Sequence, residues 1–294
     1  MARTLDIEPV DATLGAVVRG VTLASLDDAT WRALHAAWLE YALLIFPDQH
    51  LTRPQQIAFA KRFGDLELEM VDVSNVRPDG TMRTDEQDRD FMGLLRGNLD
   101  WHTDSSFKPL HAKGAVFCAE VVPPEGGQTG WADMRAAYDA LDEAMRKKVE
   151  GLSAYHSIYH SQAKLGHQLN AGPTTTLDQQ KKDGLYGPNE GPPPLRGLVK
   201  VHPETGRRSL LLGRHAYNVA GMAPEESECF LKELMEFACR PPRIYYHDWT
   251  PGDAVVWDNR CLLHRVEPWD MSVPRIMWHT RIAGDPLSEA ALAH

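Results

Sequence analysis

Cysteine is scarce: four in 294 residues (Cys118, Cys229, Cys239, Cys261), with no Cys-x-x-Cys among them. That spacing fits reduced thiols in a cytoplasmic protein better than a disulfide framework or a structural zinc site. Long apolar runs are missing too. The longest, Tyr41-Ala-Leu-Leu-Ile-Phe46, is far too short to span a bilayer, so no membrane partner is expected. The leading MARTLDIEPV has no apolar stretch of the kind an export signal needs, so none is expected. Basic residues are outnumbered, 31 Lys+Arg against 41 Asp+Glu for a net charge of −10, which argues against a nucleic-acid partner. An anionic small molecule stays open, because a few local arginines outweigh an average field. Also missing are Gly-x-Gly-x-x-Gly, Gly-x4-Gly-Lys-Ser/Thr, Gly-x-Ser-x-Gly and His-Glu-x-x-His, which weakens nucleotide-binding, serine-hydrolase and zincin readings.

What is present supports a large core: 43% hydrophobic residues, including 8 Trp, 8 Tyr and 8 Phe. Amphipathic spacing predicts a helix over Asp28–Glu40, with Trp31, Leu34, Trp38 and Leu39 near one face. Thr52 is placed to cap a second helix, Pro54–Phe63, and Gly64 follows its end. Further helices are expected over 134–149 and 224–239. Strands are expected at 16–22, 42–46, 115–122, 198–201, 209–212, 243–249, 253–257, 261–265 and 275–282. The charged stretch 72–97 reads as a long loop or hairpin. The Gly/Pro/Asn/Gln-rich stretch 162–194 reads as a lid-like insert. Few helices, many short strands and frequent turns favour a mainly β fold with flanking helices, a sandwich or barrel. No shift in composition divides the chain, so 1–294 reads as one domain.

The pair His102-Thr-Asp104 puts two ligand-type side chains on one face of an extended segment. Alone it reads equally well as a polar turn. His264, after the turn Asp258-Asn259, would add a second imidazole. Two His and one carboxylate on one side of a metal leave the other side open, as non-haem Fe(II) oxygenases require. After the turn-rich Glu267–Ser272, which should fold the next strand back beside the one carrying His264, Arg275, Met277, His279 and Arg281 alternate with Ile276, Trp278, Thr280 and Ile282. The polar face is either solvent-exposed or an anion-binding wall, where Arg suits a carboxylate through its planar fork.

Taken together, His102-Thr-Asp104, Gly126-Gly-Gln-Thr129, Trp257-Asp-Asn-Arg260, His264 and Arg275 resemble the taurine / 2,4-dichlorophenoxyacetate dioxygenase family. The likeness runs from Gly15-Ala-Val-Val-Arg-Gly20 to Ile282. Within the family it is strongest toward the aryloxyalkanoate dioxygenases, at Gly213-Arg-His-Ala216, Cys261-Leu-Leu-His-Arg265 and Pro274-Arg-Ile-Met-Trp-His279. The resemblance implies a double-stranded β-helix (jelly roll). It implies Fe(II) held by His102, Asp104 and His264, and 2-oxoglutarate bound by Arg275 and Thr129. Trp257 either lines that pocket or is an ordinary core aromatic.

The reaction implied consumes O2 and 2-oxoglutarate, yields succinate and CO2, and hydroxylates a small carboxylate, with an aryloxyalkanoic acid the leading substrate. Hydroxylation at the ether carbon would collapse to a phenol and a 2-oxo acid. An alkyl sulfonate or sulfate ester, or a biosynthetic acid, is the alternative within the class. A silent jelly-roll binding protein and a zinc hydrolase are the alternatives outside it. Asn98 and Phe107 match substrate-lining positions. The family's second arginine, four residues after the first, is replaced here by His279, leaving His279, Arg281, Arg207, Arg208 or Arg214 to anchor the substrate acid. A homo-oligomer is the family's usual condition.

Overall fold

The computed structural model describes residues 5–167 and 192–293. In chain order its strands are β1 (Asp6–Pro9), β2 (Ala16–Arg19), β3 (Leu43–Phe46), β4 (Leu66–Ser74), β5 (Gly114–Val121), β6 (Thr129–Asp133), β7 (Ser153–His156) and β8 (Leu195–Gly197). They continue as β9 (Val199–Val201), β10 (Arg208–Leu210), β11 (Ala216–Val219), β12 (Ile244–His247), β13 (Ala254–Asp258), β14 (Leu262–Val266) and β15 (Ile276–Ile282). The main sheet runs β1-β2-β3-β13-β5-β15-β4 and is antiparallel except where β2 meets β3. A smaller sheet, β12-β6-β14, lies against it.

Period-two alternation explains how the main sheet is covered on both faces. On β13, Val255 and Trp257 point to the smaller sheet. There they share a core with Phe117 of β5, Trp131 of β6, Leu262 of β14 and Met277 of β15. Ala254 and Val256 point the other way, where the helices Asp28–Tyr41 and Arg53–Lys61 bury Trp38, Phe59 and Ala60. Thr52 caps the second helix through a reciprocal box with Gln55, whose side chain accepts from Thr52 N at 2.8 Å. Outside the smaller sheet, the helices Met134–Asp139 and Pro224–Ala238 close a third core around Tyr138, Phe230, Leu231 and Leu234.

A mainly β fold with helices outside is therefore what forms, but four local expectations fail. The stretch 72–97 is a loop only over 75–88, which turns back through an antiparallel Val76–Met82 bridge. β4 runs to Ser74, and Arg89–Gly97 is a helix that buries Phe91, Met92, Leu94 and Leu95. The charges that disguised it pair with one another, Arg77 with Asp88 and Arg96 with Asp85. The helix expected over 134–149 is two, because Asp142 caps a new start at Glu143 by accepting from Met145 N at 2.7 Å. Gln162 belongs to the helix Ile158–Lys164, not to a lid; most of the expected insert, 168–191, lies outside the described residues. Finally, β15 does not return beside β14. It pairs with β5 and β4 in the main sheet, so Arg275 faces His264 across the space between the sheets.

Candidate active site

That space is a cavity of about 90 Å³. Its position follows from one backbone bridge: His102 N donates to His264 O at 3.0 Å, and His264 N donates to His102 O at 2.8 Å. The bridge fixes two residues distant in sequence side by side, with ring centroids 4.2 Å apart. Asp104 comes to the same point because Asn259 clamps its turn. Asn259 Oδ1 accepts from Asp104 N at 2.9 Å, and Asn259 Nδ2 donates to Asp104 O at 2.9 Å. The sequence offered Asn259 as a turn residue and as part of the Trp257–Arg260 motif, without a role at Asp104.

One ligand atom each from His102, Asp104 and His264 lies within 4.8 Å of the others, and all three residues are buried. His102 Nδ1 lies 2.9 Å from Asp100 O, and since a carbonyl only accepts, that nitrogen carries the proton and Nε2 keeps its lone pair. Burial lowers the His102 pKa to about 4, and it lowers His264 well below the usual range, so both rings are neutral near pH 7. Burial alone would push the Asp104 carboxyl up, but Arg281 foremost, with His279 and His264, holds it well below the usual carboxylate range. Asp104 Oδ2 and His264 Nδ1 have no hydrogen-bond partner among the described residues. Two neutral imidazoles and one ionised carboxylate, buried with an orphaned carboxylate oxygen, suit a divalent cation that prefers mixed nitrogen and oxygen donors. A second cluster, His202, Asp258 and Cys261, is closed to metal: Asp258 is occupied by Arg260 at 2.6 Å and His202 at 2.9 Å.

The polar face of β15 is a wall, not a solvent surface: Arg275, His279 and Arg281 are 2%, 5% and 4% exposed. Arg275 donates to Gly127 O from Nη2 at 3.1 Å and from Nε at 3.3 Å. It meets no carboxylate among the described residues, and burial lowers its pKa to about 9 with nothing to offset it. Gly127 sits at φ +72°, where a Cβ would come 2.9 Å from Pro123 and 3.2 Å from Arg275, so glycine holds this carbonyl against the guanidinium. Thr129 Oγ1 accepts from Trp249 Nε1 at 2.9 Å, which leaves its own proton to donate. Trp257 lines the same end, stacked on His279 at 5.7 Å.

The other end is made largely by helices. Leu94, Leu95 and Asn98 come from the end of Arg89–Gly97, and Ile158 and Gln162 from Ile158–Lys164; Phe107, Arg214 and His215 complete it. Arg214 N donates to Trp101 O at 2.9 Å, tying this segment to the His102 strand. Its guanidinium donates to Ser161 O at 3.1 Å and meets no carboxylate within ion-pair distance among the described residues. Burial, foremost, lowers its pKa to about 10, while Asp100 pulls it back up. It occupies room left by Gly97, where a Cβ would lie 1.8 Å from Arg214 Nη1.

Other anchor candidates are elsewhere or taken. Arg207 is a correction: it lies on the exposed β9–β10 turn and pairs with Asp139 at 3.0 Å, away from the cavity. Arg208 likewise points outward, 3.4 Å from Glu150. Arg281 and His279 do line the cavity, but both face Asp104, at 2.8 Å and 3.4 Å. His215, buried with Nδ1 2.8 Å from Ser161 Oγ, joins the wall without having been singled out beyond its motif.

Residues 6–281 match the family described as taurine catabolism dioxygenase TauD, TfdA family. The chain belongs to this family. It is 63% identical to an (S)-phenoxypropionate/alpha-ketoglutarate-dioxygenase of Sphingobium herbicidovorans, with all of both chains covered. It is 56% identical to a protein of the same name from Delftia acidovorans, over 99% of each. Among solved structures, AAD-2 in complex with Mn(II) and N-oxalylglycine superposes with a TM-score of 0.86 at 37% identity, covering 99% of this chain and 100% of that one. A member of the TauD/TfdA family is a dioxygenase, an oxidoreductase, and the silent-scaffold and zinc-hydrolase alternatives fall away.

Proposed function

We propose that this protein is an Fe(II)- and 2-oxoglutarate-dependent dioxygenase of aryloxyalkanoic acids that cleaves the ether to a phenol and a 2-oxo acid. One observation carries the reading. The guanidiniums of buried Arg275 and half-buried Arg214 open on one cavity without a carboxylate within ion-pair distance among the described residues, and an open-sided His102, Asp104, His264 triad borders the same cavity. A cation withdrawn from water without a counter-ion is costly, and two of them on one cavity call for two anionic ligands. One is the 2-oxoglutarate tail, met by Arg275 and the spare proton of Thr129. The other is the substrate acid, met by Arg214.

The bound Fe(II) and 2-oxoglutarate supply the oxidation itself, with O2 as oxidant. The chain positions the reactants and excludes water. His102 and His264 are kept neutral by burial and so remain ligands. Leu94, Leu95, Phe107 and Ile158 offer an apolar wall for an aryl ring, and Asn98 lies beside it. That wall favours an aryl ether over an alkyl sulfonate, which needs no flat apolar surface. Cleavage follows from chemistry, because hydroxylation of the carbon next to the ether oxygen makes a hemiketal that expels the phenol.

We read 1–294 as a single dioxygenase domain whose two facing sheets form a double-stranded β-helix. We place it in the cytoplasm as a homo-oligomer without nucleic-acid or membrane partners; no described helix is long and apolar enough to cross a membrane. The test is anaerobic addition of Fe(II) and 2-oxoglutarate, which should give a visible charge-transfer band. O2 with 2-phenoxypropionate should then yield phenol, pyruvate and succinate in equal amounts. Absence of the band would remove the co-substrate site. A band without phenol would remove the substrate class.

A further inference from the structure

Four arginines line this cavity, and Arg265 among them is paired with Glu267. Arg275 and Arg214 present their guanidiniums to the cavity. Arg281 is committed instead to the protein. Its Nη2 donates to Asp104 Oδ1 at 2.8 Å, and its Nη1 donates to Ser105 Oγ at 3.1 Å. Glu67 of β4 braces the other side, with Oε1 3.6 Å from Arg281 Nη1. The Ser105 hydroxyl lies 2.8 and 2.9 Å from the two Glu67 oxygens, and Lys108 pairs with Glu67 in turn. Charges thus alternate along Asp104, Arg281, Glu67 and Lys108. Ser105 reaches its place only by adopting φ 59°, a conformation that costs free energy in a residue other than glycine.

A free aspartate can ligate a metal through one oxygen or both. Asp104 lacks that choice. Its backbone is held by Asn259 and its Oδ1 by Arg281, while Oδ2 faces the triad, 3.8 Å from His264 Nε2 and 3.4 Å from His279 Nε2. We infer that Arg281 is a positioning residue for the metal: by holding Oδ1 of Asp104 it makes Oδ2 the one oxygen that Asp104 would offer to a bound metal. The inference rests on the metal reading above. It also assigns the cation two places beyond His279 to the metal ligand, not to the substrate.

The measurement is calorimetric binding of Mn(II) to the protein without co-substrate, for wild type, Arg281→Lys and Arg281→Met. Loss of a group that orients a ligand typically weakens metal binding about 10- to 100-fold, and Arg281→Met should fall in that range. Arg281→Lys, which keeps the charge but not the fork, should recover part of it. At saturating Mn(II) and 2-oxoglutarate, the affinity for 2-phenoxypropionate should be unchanged in both. An unchanged Mn(II) affinity overturns the inference. So does a loss of phenoxypropionate affinity with Mn(II) binding intact, which would make Arg281 the substrate anchor. If Arg281→Met does not fold, Glu67→Gln removes the brace without touching Asp104. A smaller loss of Mn(II) affinity is then expected, and none in either Glu67→Gln or Arg281→Lys overturns it. Failure of the wild type to bind Mn(II) would instead remove the metal reading itself.

Discussion

The two ends of the cavity are built by different means. At the proposed metal end, His102 and His264 are fixed by a two-bond backbone bridge, Asp104 by Asn259, and Arg275 by a strand and a glycine carbonyl. At the proposed substrate end, helix side chains and the space left by Gly97 shape the wall. A backbone-fixed site tolerates little change. A wall of side chains can be recut without disturbing the chemistry, so substrate choice in this fold is separable from catalysis.

That separation can be broken in order of effect. The largest is expected from Asp104→Ala or His264→Ala: turnover falls to background and one equivalent of metal is lost, both measured on the same sample. Arg275→Ala should come next, raising the KM for 2-oxoglutarate about 10- to 100-fold, since a charged hydrogen-bond partner is worth about 1.5–3 kcal/mol. The KM for phenoxypropionate should hardly move, and equal changes in both would merge the two ends. Arg214→Ala should give the mirror image, weakening the substrate by a similar factor and sparing 2-oxoglutarate. Gly97→Ala sharpens that test. Alanine suits a helix better than glycine, yet its Cβ would meet the far ends of the Arg214 and Gln162 side chains. Stability should hold while substrate KM rises about tenfold or less, because a cation displaced but not removed loses part of a charged hydrogen bond.

A smaller effect lies behind the triad, where His111 Nε2 sits 2.9 Å from Thr103 Oγ1 and 3.1 Å from Asn259 Nδ2. Burial lowers the His111 pKa to about 4, whereas the unfolded chain takes up that proton near the usual value of 6.5. Its folded pKa is therefore depressed, so stability is full above about pH 6.5 and is lost as the pH falls toward 4. Between pH 7 and 5 His111 alone should cost roughly 2 kcal/mol, readable as a lower urea midpoint. His156, buried with neither ring nitrogen hydrogen-bonded among the described residues, acts in the same direction. An equal midpoint at both values would contradict this.

The same divide explains what was legible in the sequence. His102-Thr-Asp104 and the inward face Arg275, His279, Arg281 follow from period-two alternation, a local rule. What alternation could not give is who meets whom: Arg281 reaches Asp104 across a separation of 177 residues. Arg207 looked as good an anchor as Arg214 because both are arginines near turns; only folding puts one on Asp139 and the other against Gly97. The helix Arg89–Gly97 was hidden because charged residues flank it, although Phe91, Leu94 and Leu95 carry the spacing of a buried helical face.

The central claim is that one cavity takes two carboxylates at once, one on each uncompensated arginine. Titrating 2-phenoxypropionate anaerobically into the Fe(II)–2-oxoglutarate protein tests it. A two-anion cavity requires one equivalent to bind while the charge-transfer band shifts but keeps its intensity. Loss of the band in proportion to added phenoxypropionate, reversed by more 2-oxoglutarate, would mean that both acids compete for Arg275 and that Arg214 anchors neither.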